Sequence, residues 1–207
     1  MTNSDRALRE LISAIVEGDA AAVSRLLAAS PELAKEGIQA GATRQAANEH
    51  FIDPIKRYVV AGDTAMHIAA AAYQTGILRE LIRAGADVRG RNRFGDEALH
   101  AAAVGSPGSH RWNPAAQSAT IVALIEAGAD PNAANKLGVT ALHRAVRTRC
   151  AEAVRTLLEL GADPALKNKR GSTPMILACV NSGRGGTGLP DAKAQQREIV
   201  RLLEKAV

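Results

Sequence analysis

"GDTAMHIAA" (62–70) decides the fold, because the stretch returns. "GDEALHAAA" starts at Gly95, "GVTALHRAV" at Gly138 and "GSTPMILAC" at Gly171, so successive copies are offset by 33, 43 and 33 residues. A second landmark keeps step: "AGAD" at 84–87, "AGAD" at 127–130 and "LGAD" at 160–163, offset by 43 and 33. Self-similarity at this period marks a solenoid, in which each unit buries its apolar face only against its neighbours. The N-terminal "LISAIVEGDAAAVSRLLAASP" (11–31) has the same helix–turn–helix pattern without the opening turn.

The motif has a physical logic. Thr64, Thr140 and Thr173 stand where a helix should start, and their hydroxyls can accept from free amides. Pro174 takes a first-turn position that proline tolerates. Glu97 replaces Thr in its copy, which predicts a weaker cap. Gly85, Gly128 and Gly161 end each second helix, where a left-handed residue is wanted. Leu81, Leu124, Leu157 and Leu202 are predicted on the buried face of the second helices.

The G-x-T-A/P-L/M-H turn, the "LL" or "LI" of the second helix and the G-A-D close recur in phase. Together they resemble the ankyrin-repeat family over nearly the whole chain, apart from three insertions. The resemblance implies an all-α solenoid of helix–turn–helix units with short hairpin loops, forming one domain over 1–207. Its repeats are expected at about 5–36, 62–94, 95–137, 138–170 and 171–207, the first and last acting as caps. It also implies a non-catalytic module that binds an unknown protein partner over its concave face and hairpin fingers. In the family the motif His is buried and hydrogen-bonds between neighbouring repeats. His67, His100 and His143 fill that place, and Ile176 replaces it in the last repeat. The common family pattern has Asp where this chain has Asn92, Asn135 and Asn168. The fingers "DVRGRNRFG" (87–95) and "ALKNKRG" (165–171) are accordingly basic, with Arg89, Arg91, Arg93, Lys167, Lys169 and Arg170 at their tips. These cations either meet an acidic protein surface or only solubilise the rim.

The insertions fall at about 37–61, 105–114 and 182–193. The first lengthens the link between repeats one and two, and a short helix around Arg44 to Ile52, stopped by Pro54, is expected there. By position it belongs with the hairpin fingers; the alternative is a packing flap over the N-terminal cap, with Phe51 and Tyr58 as anchors. The other two interrupt repeats three and five between their helices. Each restarts a helix with capping chemistry, Asn113 before Pro114 and Asp191 after Pro190. Register sets Gln117 and Gln195 at the position of Cys150. Two repeats apart is roughly 20 Å when packed helices lie about 8–10 Å from one another. A loop of about ten residues reaches out and back roughly 16 Å. The two loops can therefore close over the intervening turn, making a composite pocket of Trp112, the only tryptophan, with Arg111, Arg147, Arg149 and Arg184. Its occupant would be a small anionic or aromatic ligand, nucleotide- or phosphate-like. The alternative folds Trp112 back onto the helix ends.

Composition narrows the remaining classes. Hydrophobic content is 46%, but only five residues are Phe, Tyr or Trp. No run of about 18 apolar residues exists and no signal-peptide core opens the chain, so a cytoplasmic protein off the membrane is expected, and a monomer. The net charge of +5 permits anionic partners. Nucleic acid is disfavoured, because no stacking aromatics accompany the basic fingers. "GRGGTG" (183–188) spells a dinucleotide-binding fingerprint without the βαβ unit that gives it meaning. Cys150 and Cys179 form no metal pattern. Cys150, beside Arg147 and Arg149, is either a thiolate-prone sulfur or a small buried thiol. No nucleophile–base pair is apparent, so neither an enzyme nor a cofactor is expected.

Overall fold

A computed structural model of the chain describes residues 3–43, 47–107, 109, 112–180 and 190–206. Ten α-helices among the described residues form five successive pairs: α1 (Asn3–Glu17) with α2 (Ala20–Ala29), α3 (Ala65–Ala71) with α4 (Thr75–Arg83), α5 (Ala98–Ala102) with α6 (Pro114–Glu126), α7 (Ala141–Arg147) with α8 (Ala151–Glu159), and α9 (Pro174–Cys179) with α10 (Pro190–Lys205). The first helices of the pairs stack in one row and the second helices in another.

Helices of five to seven residues are too short to persist on propensity alone, so packing and capping must hold them. Alanine at 65, 69, 70, 98, 101, 102, 141 and 145 is buried and lets the first helices approach closely. Thr140 Oγ1 accepts from the amide of His143, while His143 Nδ1 accepts from the amide of Thr140. Thr64 and His67 close the same reciprocal box. Glu97 was expected to cap poorly, yet its carboxylate replaces the Thr hydroxyl in an equivalent box with His100. The other ring nitrogen of each histidine crosses to the next repeat: His67 Nε2 to the carbonyl of Asp96 (2.9 Å), His100 to Val139 (2.9 Å) and His143 to Ser172 (3.1 Å). All three rings are buried, and desolvation lowers their pKa values, His100 to about 4. The motif histidines are structural, as the resemblance implies.

The second helices bury Leu81, Leu124 and Leu157 as expected and close on left-handed Gly85, Gly128 and Gly161. The last helix differs by one residue. Leu203 is fully buried and Leu202 only half-buried. The same step places Gln196, not Gln195, opposite Gln117: Gln196 Nε2 donates to the carbonyl of Ala178 as Gln117 Nε2 does to Ala102.

The insertion at 37–61 holds no α-helix over its described residues; residues 44–46 of the expected helix lie outside them. A 3₁₀ turn at Asn48–His50 leads into an antiparallel hairpin of β1 (Phe51–Ile52) and β2 (Arg57–Tyr58), pairing Phe51 with Tyr58 and Ile52 with Arg57. Pro54 sits in the turn that reverses the chain, and β-branched and aromatic residues flank it, which favours strand over helix. Val59 and Val60 are buried, and Ile38, Ile52 and Ile55 pack on the core. The expected anchors are not anchors: Phe51 and Tyr58 stay 36% and 48% exposed and pack against each other, ring centres 4.7 Å apart and planes tilted by 50°.

Candidate functional site

Each finger is tied by an asparagine. Asn92 Oδ1 accepts from the amides of Phe94 (2.9 Å) and Asp96 (3.1 Å), and Asn135 Oδ1 from those of Leu137 (2.8 Å) and Val139 (3.0 Å). Asn168 repeats this with Arg170 (2.9 Å) and Ser172 (3.2 Å). An aspartate could do as much. The amide nitrogen is what matters: Asn92 Nδ2 donates to Asp63 Oδ1 and Asn135 Nδ2 to Asp96 Oδ1, each at 2.8 Å and each between buried side chains. These asparagines therefore do more than raise the charge of the tips. Asn92 and Asn135 each stitch their finger to the turn before it. Backbone bonds continue the ladder, from the amide of Arg93 to Ala61, of Lys136 to Phe94 and of Lys169 to Leu137.

All six finger cations are exposed, but they divide into two sets by what their side chains do. Arg89 Nε donates to the carbonyl of Gly128 (2.8 Å). Arg91 pairs with Glu97 (2.8 Å) and reaches the carbonyl of Ala134. Arg93 donates to the carbonyl of Ala42 and lies over the ring of Phe94 at 4.7 Å. These three brace the fingers. Lys167, Lys169 and Arg170 stand exposed on the last finger. Glu97 is 2% exposed, and burial pushes its pKa up against the pull of Arg91. The sequence reading missed the apolar residues at the tips: Phe94 is 46% exposed and Leu137 64%. Their signal was an apolar residue directly before the motif Gly in two successive fingers.

At the edge between first and second helices, three of the five proposed ligand residues are described. Arg111 and Arg184 lie outside the described residues, as do His110 and 183–188. Trp112 is half-buried. Its Nε1–H donates to Gln117 Oε1 (2.9 Å), and its ring packs against the core. The fit is close: a Cβ on Gly105 would fall 2.6 Å from both Trp112 Nε1 and Cys150 Sγ. Arg147 is half-buried, and Arg149 is 4% exposed with φ at 61°. That left-handed residue has counterparts in Gly18 (φ 75°) and Tyr73 (φ 56°), each preceding the start of a second helix. It closes the short helix–helix turn of repeats one, two and four, and the insertions take its place in repeat three. Cys150 is fully buried, and desolvation raises its pKa to about 11, so it is a packed thiol. Register aligns Gln117 with Cys150, while its bond to Trp112 is visible only in the fold. One buried Gln in the apolar face of α6 was its only mark.

Among the described residues no helix is long and apolar enough to cross a membrane, and no cluster of His, Cys, Asp and Glu could hold a metal ion. No curated protein matches the chain. Two family models do: one for a single ankyrin repeat over residues 61–93, and one for ankyrin repeats in many copies over 124–178. Ankyrin repeats serve in general as protein-interaction modules. Both matches fall in phase with the recurring turn, the buried histidines and the laddered fingers, and residues 61–93 and 124–178 are ankyrin repeats.

Proposed function

We propose that the chain is a non-catalytic interaction module whose protein partner docks along the row of first helices and the fingertips. Lys167, Lys169 and Arg170 meet an acidic surface on that partner, and Phe94 and Leu137 supply apolar contact beside them. One observation carries this reading: two large apolar side chains are held in water at the tips of fingers that are otherwise rigidly laddered. A rigid ridge with exposed apolar and cationic side chains loses little entropy on binding and is steered by charge. Arg89, Arg91 and Arg93 serve the ridge by stiffening it.

The other edge supports a ligand less well. A small anionic or aromatic molecule among Arg111, Trp112, Arg147, Arg149 and Arg184 would have to use an indole whose N–H is already given to Gln117 and an Arg149 that closes a turn.

Affinity capture from cells of origin tests the proposal. Proteins retained by the wild type are compared with those retained by a Lys167→Glu/Lys169→Glu/Arg170→Glu variant. Acidic partners lost from the variant, and from the wild type as salt rises, are expected. A partner retained equally by both would contradict a fingertip interface.

A further inference from the structure

The hairpin insertion does not close on α1. Between them lies a groove of about 600 Å³. Ile12 and Val16 of α1 form one wall, Phe51 and Ile52 of the hairpin the other, and Ile38 and Val59 the floor. A flap serving only to bury α1 would cover this face. Instead Ile12, Val16, Ile38 and Ile52 stay half-buried, and Phe51 is 36% exposed. The volume falls within the roughly 300–1,000 Å³ of built binding sites, which are likewise apolar with a few polar groups at the mouth.

The rim has a sign. Glu17, Glu49 and Asp53 line the groove beside one guanidinium, Arg9, and one imidazole, His50, in a chain whose net charge is +5. Asp53 shares its charge with Lys56, while Glu17 accepts from the hydroxyl of Ser13. The groove is acidic and apolar on a basic protein, and its complement is apolar and basic. Its length points the same way. From Arg9 to Glu17, α1 rises about 12 Å, room for a partner helix with apolar residues at i, i+4 and i+7, which span about 10 Å. Strand addition suits it less, because β1 is two residues long and offers few backbone groups to pair.

We propose that this groove is a docking site for a short amphipathic helix of a partner protein, its apolar face flanked by lysine or arginine. It is separate from the fingertip ridge and takes a partner of opposite charge.

The test uses the full chain and two fluorescein-labelled helical peptides of about 15 residues. Both carry Leu at i, i+4 and i+7, one with Lys and the other with Glu at the flanking positions. Fluorescence anisotropy should show the Lys peptide binding and the Glu peptide binding at least about tenfold more weakly. Ile12→Gln, at a half-buried position, should weaken the Lys peptide by about tenfold or more. Glu17→Lys/Glu49→Lys, on exposed side chains, should reverse the preference between the peptides. Lys167→Glu/Lys169→Glu/Arg170→Glu should leave it intact, which separates this site from the fingers. Equal binding of both peptides, a preference unmoved by the charge swap, or no binding of the Lys peptide at about 1 mM would overturn the proposal. So would a dimer of the protein alone that Ile12→Gln dissolves, since the groove would then belong to a second copy.

Discussion

Asn135→Asp puts the finger network to a quantitative test. In the native chain the Asn135 amide donates to a carboxylate, Asp96, that is 5% exposed and also held by Arg144 at 2.6 Å. Aspartate at 135 keeps the acceptor that holds the finger's own amides but brings two carboxylates to 2.8 Å, the spacing now spanned by a hydrogen bond. Either both ionise and repel, or one takes up a proton and restores a donor. The second route bounds the penalty: protonating an ordinary Asp at pH 7 costs about 4 kcal/mol, at about 1.36 kcal/mol per pH unit above 3.9. At pH 5 the same step costs only about 1.5 kcal/mol. The sign follows, because the new carboxyl has a folded pKa above its unfolded value. Its deficit is small in acid and grows as pH rises. Asn168→Asp is the internal control. The residue corresponding to Asp96 one repeat on is Val139, so no carboxylate faces it, and less than about 1 kcal/mol is expected at either pH. Urea denaturation followed by circular dichroism at pH 5 and pH 7 measures both variants. Asn168→Asp as damaging as Asn135→Asp, or a deficit for Asn135→Asp that ignores pH, would refute the assignment of the amide as an obligatory donor.

Other consequences follow from the same contacts. Trp112→Phe keeps a ring but strands a buried Gln117 oxygen, and should lower stability by about 1–3 kcal/mol in thermal melts; unchanged melting would return Trp112 to a role outside the core. His100 has a folded pKa of about 4 against an unfolded value near 6.5, so its neutral ring stabilises the fold above pH 6.5 and that stability is lost as pH falls toward 4. The loss is on the order of 3 kcal/mol from this residue, and His100→Gln should shrink the acid limb of the stability–pH curve; an identical limb in the variant would contradict a neutral buried ring.

The period of the sequence made the solenoid legible, because each repeat carries the same turn, cap and closing glycine. What escaped sequence reasoning lay where that phase reference ended. In 37–61 no copy existed for comparison, and a short apolar run with Pro54 reads as helix or strand until packing chooses. In α10 the preceding insertion breaks the count and no G-A-D follows, so the register slips by one: Leu203 is the buried leucine rather than Leu202, and the half-buried Gln196 takes the place expected of Gln195. Glu97 caps its helix because Arg91 from the adjacent finger shares its buried carboxylate, a contact that spacing alone does not reveal. The finger cations follow from the pattern, but which of them also brace the fingers depends on carbonyls of the next repeat and of the 37–61 insertion. Arg93 reaches Ala42 across 51 residues of sequence.

Hydrogen–deuterium exchange on a complex with a captured partner addresses the interaction surface most directly. Slowed exchange over the fingers at 91–95, 134–138 and 167–171, with residues 105–112 unaffected, is the expected result. Protection confined to 105–112 and 147–150, with the fingers exchanging as in the free chain, would move the binding site to the helix edge and contradict the fingertip interface.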